Sequence, residues 1–193
     1  MDLSRPAHLV APDLIGARIR STLGPPVCVL ITEVEAYGGE GEDEASHAHR
    51  GRTARNATMF GRPGLLYVYL SHGLHWCVNV TTGDEGTASA VLLRAGEVIE
   101  GVETAQGRRR AARTTRDLAR GPGRLGAALG VTGAQDGTDL LDKSAPVRLL
   151  PRLAEPAGIV TSTRVGITRD AHRPWRWHWE GHRSVSAARS LRP

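Results

Sequence analysis

The amino-acid sequence predicts an α+β fold: one compact domain, residues 1–193, with a mainly antiparallel, curved β-sheet and flanking helices. Short segments rich in β-branched residues are separated by turns, since 23 glycines and 11 prolines are spread along the chain. No internal repeat or low-complexity linker divides the 193 residues, a length that suits one domain. Apolar residues make up 40% of the chain, which is enough for a buried core.

The first half of the predicted sheet begins near the N-terminus. Residues 12–17 are predicted to end a short helix, and the alternating residues 18–23 predict the first strand. Residues 24–26 (GPP) predict a turn, because proline fixes its own φ and glycine tolerates almost any φ. Residues 27–36 are rich in β-branched side chains and predict a second strand, whose apolar beginning is buried on both faces.

The remaining elements follow from a hairpin and from mixed patterns. Residues 65–70 and 74–80 predict a hairpin around Ser71-His72-Gly73, in which Tyr67 and Tyr69 share one face. Further along the chain we expect a strand at 88–95, helices at 100–119 and 124–129, and strands at 146–150, 158–168 and 183–187.

Charge is distributed unevenly along the chain. Lys and Arg total 25 against 20 Asp and Glu, a formal net charge of +5, and every cation except Lys143 is arginine. Residues 108–124 hold seven arginines and one acid, which predicts either a solvated helix face or a surface that binds the phosphate groups of a nucleic acid. Residues 33–44 instead hold six carboxylates, of which Glu33 and Glu35 project on the same side of their strand.

The sequence also excludes several classes of protein. No apolar run approaches the roughly 18 residues of a transmembrane helix. The N-terminal segment carries Asp2 and Asp13 and lacks the apolar region of a secretory signal. Cys28 and Cys77 form no CxxC motif, which argues against zinc-finger and thioredoxin sites and suits two small buried side chains. We therefore expect a soluble cytoplasmic protein, nucleoid-associated in a bacterium or nuclear in a eukaryote.

Chemically versatile side chains are concentrated in the first half of the chain. Residues 38–64 lack a regular pattern, and a long loop inside a compact domain is usually functional. Glu35 closes an otherwise apolar strand, so it is either a buried ion-pair partner or an activated base. The planar side chains of Tyr37, His47 and Tyr69 suit a flat heteroaromatic ligand. In an arginine-rich protein this combination favours a nucleobase.

Other chemistries fit these residues less well. His47 with His49, and His72 with His75, each provide part of a metal site, but no third ligand completes a known motif and no metal is expected. No G-x-S-x-G motif for a nucleophilic serine is present. Lys143 is the only lysine and lies far from these residues in the sequence, which argues against Schiff-base chemistry.

Several unusual strings recur at characteristic intervals. They are ITEVEAY, DEASHAHRGRTARNATMFGRPGLLYVY, GLHWCVNV and AVLLRA, followed in order by GPGRLGAALG, STRVGIT and PWRWHWEGHRSVS. With these strings the chain resembles the alkyladenine (3-methyladenine, or methylpurine) DNA glycosylase family. The resemblance implies a single α/β domain that flips a damaged nucleotide out of duplex DNA and hydrolyses the bond between base and deoxyribose. It also implies that no metal or organic cofactor is used and that an abasic site is left without strand cleavage.

The resemblance further implies roles for individual residues. Glu35 matches the family's general base, which deprotonates the attacking water, and Arg94 matches the arginine that helps hold that water and the carboxylate. Tyr37 and His47 match residues on opposite sides of the flipped base, and Tyr69 matches another wall of the pocket. Asn79 matches the asparagine that obstructs the exocyclic amine of guanine. Arg52 and Arg124 match cationic residues near the DNA, and Val185 matches a residue whose carbonyl would contact the water.

Two features depart from the family pattern. His72 stands where the family usually has a tyrosine that wedges into the vacated base stack, and histidine is planar but smaller. The stretch 38–41 carries an extra residue, which would shift the loop before His47. These departures concern substrate range and the search for damage rather than the class of reaction.

Three candidate functions fit these sequence features. The first is a monofunctional DNA glycosylase of base excision repair that removes alkylated or deaminated purines, of the 3-methyladenine and hypoxanthine type, from duplex DNA as a monomer without an obligate protein partner. The alternatives are a non-catalytic nucleic-acid-binding module and a hydrolase of free nucleosides. Glu35 argues against a pure binding module, and the arginines of 108–124 argue against a nucleoside hydrolase.

Overall fold

An eight-stranded antiparallel sheet forms the centre of the structure, a computed structural model that describes residues 1–186. Its strands are β1 (Arg18–Ser21), β2 (Val27–Tyr37), β3 (Leu66–Ser71), β4 (His75–Thr81), β5 (Ala90–Glu100), β6 (Val147–Leu150), β7 (Ile159–Ser162) and β8 (Arg176–Trp179). The helices are α1 (Ala7–Leu14), α2 (Val102–Arg108) and α3 (Pro122–Leu129). The order β3-β4-β5-β2-β1-β6, with β8 pairing both β2 and β7, confirms the predicted α+β fold.

The central strand, β2, is the most deeply buried. Its residues from Val27 to Ala36 are all buried, as the apolar beginning of the segment predicts. β5 pairs along its whole length, while β1 and β8 share the other edge. Register shifts on either side of Glu33 mark irregular pairing with β5, and such bulges bend a sheet. The sheet is therefore curved where Glu33 and Glu35 lie.

The two faces of the sheet are covered differently. The main core packs α1 against β2, and α3 against β4 and β5, around fully buried aliphatic side chains such as Leu14, Ile31 and Leu93. A smaller cluster occupies the other face and contains Tyr67, Met59 and Ala48. Because neighbouring strand residues alternate between faces, Val68 joins the main core while Tyr67 and Tyr69 face the smaller cluster.

Residues 100–119 do not form the long helix that the sequence predicts. β5 continues to Glu100, α2 ends at Arg108, and only a short 3₁₀ turn follows at Thr115–Asp117. The helix ends because side chains bind main-chain carbonyl groups instead of lying along a helix face. Gln106 donates to the Ala112 carbonyl at 3.1 Å, and Arg108 donates to the Ala128 carbonyl at 3.0 Å.

The last third of the chain also differs from the prediction. The strand expected at 158–168 is limited to β7, and β8 was not predicted. Residues 183–186 form a turn rather than a strand, and residue 187 lies outside the described residues. None of the helices within residues 1–186 is long and apolar enough to cross a membrane.

Candidate active site

A cavity of about 260 Å³ lies on the face of the sheet opposite the main core. Side chains from β2, β3, β4 and β5 form its floor and walls, and the loops around residues 45–47 and 165–167 complete it. Seven of the residues singled out from the sequence line this cavity: Glu35, Tyr37, His47, Tyr69, His72, Asn79 and Arg94. The structure therefore brings together residues that are up to 59 positions apart in the chain.

Glu35 is a buried carboxylate with three donors around it. Its Oε1 accepts from the Val165 amide at 2.8 Å, and its Oε2 accepts from the Tyr37 hydroxyl at 3.0 Å. Nη1 of Arg94 lies 3.5 Å from the same Oε2. Burial raises the pKa of Glu35, and Arg94, Val165 and Tyr37 oppose this rise because they favour the anion. The carboxylate is thus desolvated and oriented, and it forms part of the cavity lining.

Arg94 also contacts a second carboxylate, which the sequence did not single out as part of the site. Its Nε atom lies 2.9 Å from Oε1 of Glu33, whose side chain is fully buried. Glu33 accepts hydrogen bonds from Nε of Arg176 at 2.7 Å and from the Ser186 amide at 2.6 Å. The prediction that Glu33 and Glu35 project on the same side is confirmed, and this was the available signal for the role of Glu33.

Aromatic rings form the walls of the cavity. The His47 ring stands at 89° to the Tyr69 ring with 4.5 Å between their centroids, and its Nδ1 lies 3.0 Å from Oη of Tyr67. Partial burial lowers the pKa of His47, which favours the neutral imidazole. Burial and the neighbouring Glu35 raise the pKa of Tyr37 well above its usual range, so its phenol remains a donor. These walls offer flat, uncharged surfaces.

The loop that carries His47 is fixed by two buried polar side chains. Asp43 binds both terminal nitrogens of Arg164, at 2.6 and 2.8 Å, and accepts from the Gly38 amide at 3.1 Å. The Arg164 guanidinium also lies 4.8 Å from the centre of the Tyr37 ring. Asn56 donates to the carbonyl group of His47 at 2.8 Å. These hydrogen bonds and this ion pair therefore fix the irregular backbone of the loop.

Asn79 lies on the floor of the cavity, on β4. Its amide nitrogen donates to the carbonyl group of Tyr67 at 3.0 Å, and only 3% of the residue is exposed. This bond fixes the direction of the carboxamide, because Asn79 pairs directly with Tyr67 across the hairpin. The side chain presents a fixed polar edge to whatever occupies the cavity.

The tip of the β3–β4 hairpin stands at the rim of the cavity. His72 has a φ of 51°, an uncommon value for a residue with a Cβ atom, and Gly73 follows with a φ of 68°. The next residue, Leu74, is 75% exposed. His72 also lines a second, larger cavity, so it separates the two spaces.

This second cavity is a basic groove of about 750 Å³ that shares Ser71, His72, Cys77 and Pro122 with the first. Arg109, Arg113 and Arg124 line it. Arg110, Arg113, Arg116 and Arg124 are exposed, whereas Arg108, Arg109 and Arg120 donate to main-chain carbonyl groups. The arginine-rich segment thus divides into a structural part and a solvent-facing part.

Two sequence-predicted residues occupy positions outside the first cavity's described lining. Arg124 is exposed at the basic groove, and Arg52 is exposed on the loop with its guanidinium 5.9 Å from the Phe60 ring centre. The carbonyl group of Val185 accepts from Nε of Arg120 at 2.7 Å. Among residues 1–186, no group of three or more His, Cys, Asp or Glu side chains is arranged to hold a metal ion.

Comparison with known proteins agrees with this geometry. The sequence model of the family described as Methylpurine-DNA glycosylase (MPG) matches residues 1–183. The chain belongs to this family. Members are DNA glycosylases, the N-glycosyl hydrolases of base excision repair.

Three bacterial relatives carry the name "Putative 3-methyladenine DNA glycosylase". The protein from Nocardia farcinica is 55% identical over 183 residues, which cover 91% of this chain and 84% of the relative. The Streptomyces avermitilis protein is 47% identical over 194 residues, covering 98% and 91%. The Mycobacterium tuberculosis protein is 49% identical over 180 residues, covering 91% and 86%. The match to this glycosylase family extends over nearly the whole chain.

Proposed function

We propose that the protein is a monofunctional DNA glycosylase that removes alkylated or deaminated purines, such as 3-methyladenine and hypoxanthine, from duplex DNA. The observation that carries the proposal is the buried carboxylate of Glu35, which faces a ring-walled cavity and is held by Arg94 and Tyr37. A base inside a duplex cannot reach such a cavity, so the nucleotide must be everted first.

Hydrolysis of the N-glycosyl bond fits the groups around Glu35. The bond breaks with positive charge developing on the sugar, and a carboxylate stabilises that charge and takes a proton from the attacking water. Glu35 supplies the carboxylate, and Arg94 holds the carboxylate and the water. The water's oxygen bonds to the anomeric carbon, the base leaves with the bonding electrons, and the product is an abasic site.

The walls of the cavity support a purine as the leaving group. Tyr37, His47 and Tyr69 present planar faces, and stacking of a base on aromatic side chains is worth about 1–3 kcal/mol. A neutral imidazole at position 47 suits this use, because a positively charged alkylated base would be repelled by a charged one. We infer that Asn79, on the floor of the cavity, obstructs the exocyclic amine of guanine.

The surface around the cavity supports DNA as the carrier of the base. Arg113 and Arg124 border the groove that adjoins the cavity, Arg52 is exposed on the loop, and His72 stands between the two spaces. Exposed arginines bind the phosphate groups along the DNA backbone. A planar side chain at the hairpin tip fills the space that the everted base leaves in the stack. A hydrolase of free nucleosides needs neither feature.

We also propose that the enzyme has no lyase activity. A strand-cleaving lyase forms a Schiff base with an amine, and the only lysine, Lys143, lies outside the described lining of both cavities near the site. We therefore expect base release without strand cleavage. We further propose that the enzyme acts as a monomer in the cytoplasm, at the nucleoid, without a cofactor or an obligate protein partner.

A duplex with a single lesion tests this function. The protein is incubated with duplexes containing one hypoxanthine, and separately with methylated DNA, and released bases are separated by chromatography. Strand breaks are counted before and after alkali. We expect base release, with breaks only after alkali. Glu35→Gln abolishes release while preserving DNA binding, and Glu100→Gln, which removes an exposed carboxylate, serves as the control. Equal release by the Glu35→Gln variant and the wild type contradicts the mechanism.

A further inference from the structure

Glu33 is a buried carboxylate whose role lies outside the hydrolysis described above. Its side chain is fully buried, and it lies outside the described lining of the cavity. It nevertheless contacts Arg94 at 2.9 Å and accepts hydrogen bonds from Arg176 and from both the amide and the hydroxyl of Ser186, at 2.7, 2.6 and 2.9 Å. Removing a carboxylate from water is expensive, so such a group persists where its partners offset the penalty.

The ion pair with Glu33 draws Arg94 to one side of Glu35. Nε of Arg94 lies 2.9 Å from Oε1 of Glu33 without forming a hydrogen bond to it. Because the guanidinium is planar, this position leaves Nη1 directed at Glu35, to whose Oε2 it donates at 3.5 Å. Because β2 carries both carboxylates two positions apart, they stand side by side below the same arginine.

Glu33 also balances charge around Glu35. Two carboxylates, Glu33 and Glu35, face two guanidiniums, Arg94 and Arg176, so the buried group is neutral overall. Another cation that acts on Glu35, Arg164, is already paired with Asp43. The other titratable groups that line the cavity with Glu35 are three phenols, a thiol and two imidazoles: Tyr37, Tyr67, Tyr69, Cys77, His47 and His72. Burial raises the pKa of the phenols and of the thiol and lowers that of His47.

We propose that Glu33 is a positioning residue for base excision: its charge draws the guanidinium of Arg94 to one side, so that Nη1 of Arg94 orients Glu35 without neutralising it completely. The inference rests on the proposed function. It assigns Arg94 to two carboxylates rather than one, and it makes the turn at residues 184–186 part of the site through Ser186. Glu33 acts through Arg94 and touches neither base nor sugar.

The proposal predicts a specific change in proton affinity. In the folded protein burial is the main cause of the raised pKa of Glu35, the charge of Arg94 opposes this rise, and the charge of Glu33 adds a smaller rise. Glu33→Gln removes the influence of the Glu33 charge and leaves two guanidiniums beside one carboxylate, so the pKa of Glu35 falls. A general base must be anionic, so the acidic limb of the pH–rate profile moves to lower pH. A weaker base and a misplaced Arg94 reduce the rate at the plateau.

The test is single-turnover base release from a hypoxanthine duplex, measured against pH for the full chain. For Glu33→Gln we expect a rate at the plateau that is about tenfold or more lower, an acidic limb at lower pH, and duplex affinity within about twofold. Glu33→Asp keeps the charge and restores the position of the limb. Glu97→Gln is the matched control, because Glu97 binds His182 and Arg183 of the same C-terminal turn but does not contact Arg94.

Two outcomes overturn the proposal. One is a Glu33→Gln variant with the wild-type rate and acidic limb. The other is a loss of rate that Glu97→Gln reproduces with an unmoved limb, which shows that only the docking of the turn matters. If Glu33→Gln does not fold, Glu33→Gln/Arg176→Gln preserves the net charge of the buried group, and the same loss of rate is expected because Arg94 is still released.

A second measurement separates this inference from the proposed function. Carboxyl groups of ¹³C-labelled glutamate are titrated by NMR in the wild type, Glu33→Gln and Glu35→Gln proteins, so that Glu35 is assigned by its loss. A lower titration midpoint for Glu35 in Glu33→Gln supports the positioning role even where no tested lesion is released. An unchanged midpoint overturns it even where the wild type is an active glycosylase.

Discussion

Arg94 bridges two carboxylates of the same strand: its Nε lies 2.9 Å from Oε1 of Glu33, and its Nη1 lies 3.5 Å from Oε2 of Glu35. The shorter contact is to the residue that lies outside the cavity's described lining. Glu35 therefore receives part of the arginine's positive charge and keeps its capacity to accept a proton. In the proposed mechanism, this sharing leaves Glu35 able to act as a base.

Replacing Arg94 should move the pH–rate profile in the direction opposite to that of Glu33→Gln. Arg94 lowers the pKa of Glu35, so in Arg94→Gln that pKa rises and the acidic limb moves to higher pH. We also expect a rate about tenfold or more lower at the plateau. Single-turnover base release against pH tests this, and an acidic limb that does not move contradicts it.

The Asp43–Arg164 pair should be essential for stability. Both side chains are fully buried, and Asp43→Asn leaves the guanidinium without its counter-charge. We expect the free energy of unfolding to fall by about 3–5 kcal/mol, together with weaker lesion binding because the loop carrying His47 loosens. Urea denaturation measures the change. Arg20→Gln, which breaks an exposed pair with Glu100, serves as the control and should leave stability almost unchanged.

His47 should make the stability of the fold sensitive to acid. Partial burial lowers the pKa of its imidazole, so the folded protein binds a proton at His47 less readily than the unfolded chain does. This contribution to stability is fully present above the ordinary histidine pKa and is lost as the pH falls from that value to the lowered pKa of the folded state. Thermal denaturation between about pH 5 and 8 should show a melting temperature that depends less steeply on pH in His47→Asn. An unchanged slope would argue against a lowered pKa for His47.

The hairpin tip should contribute to binding rather than to stability. His72→Gly removes the planar side chain and also relieves the positive φ of 51°. We expect an unfolding free energy that is unchanged or raised by up to about 1 kcal/mol, weaker lesion binding, and residual base release. Fluorescence anisotropy with a lesion duplex measures affinity. Wild-type affinity would show that the wedge lies elsewhere.

Arginines at the groove should determine the salt dependence of DNA binding. Arg124→Ala removes one exposed cation and should lower the slope of log Kd against log salt by about 1, equally for damaged and undamaged duplexes. Arg148→Ala is the matched control, because β6 lies at the sheet edge opposite β3. A slope that changes equally in both variants would place the DNA on another surface.

Sequence patterns predict the parts of this fold where burial imposes a period. β2 and the β3–β4 hairpin were predicted almost to the residue, because apolar and polar side chains there follow the two faces of the sheet. β8 was not predicted, because its residues RWHW mix charge with aromatic rings. Arg176 is buried there because Glu33, 143 positions earlier, and Ser162 accept from it.

The residues of the candidate site likewise fall into those that the sequence predicts and those that it does not. The positions of Glu35, Tyr37 and Tyr69 follow from strand periodicity, and the resemblance to a family supplied their roles. The groups that hold them did not stand out: Asp43 and Arg164 are 121 positions apart, and Asn56 fixes His47 through a main-chain carbonyl group. Pairings over such distances leave no local pattern in a single sequence.

The bond from the Ser186 amide to Glu33 spans 153 positions of the chain. Closing so long a loop is entropically unfavourable, and the contacts that offset this loss form only after most of the sheet has formed. This contact therefore belongs to the final stage of folding. A molecule that has collapsed but has not docked its C-terminal turn would hold Arg94 loosely. Recovery of base release during refolding should therefore lag behind recovery of the β-sheet signal, because the enzyme becomes active only when the turn at residues 184–186 has docked.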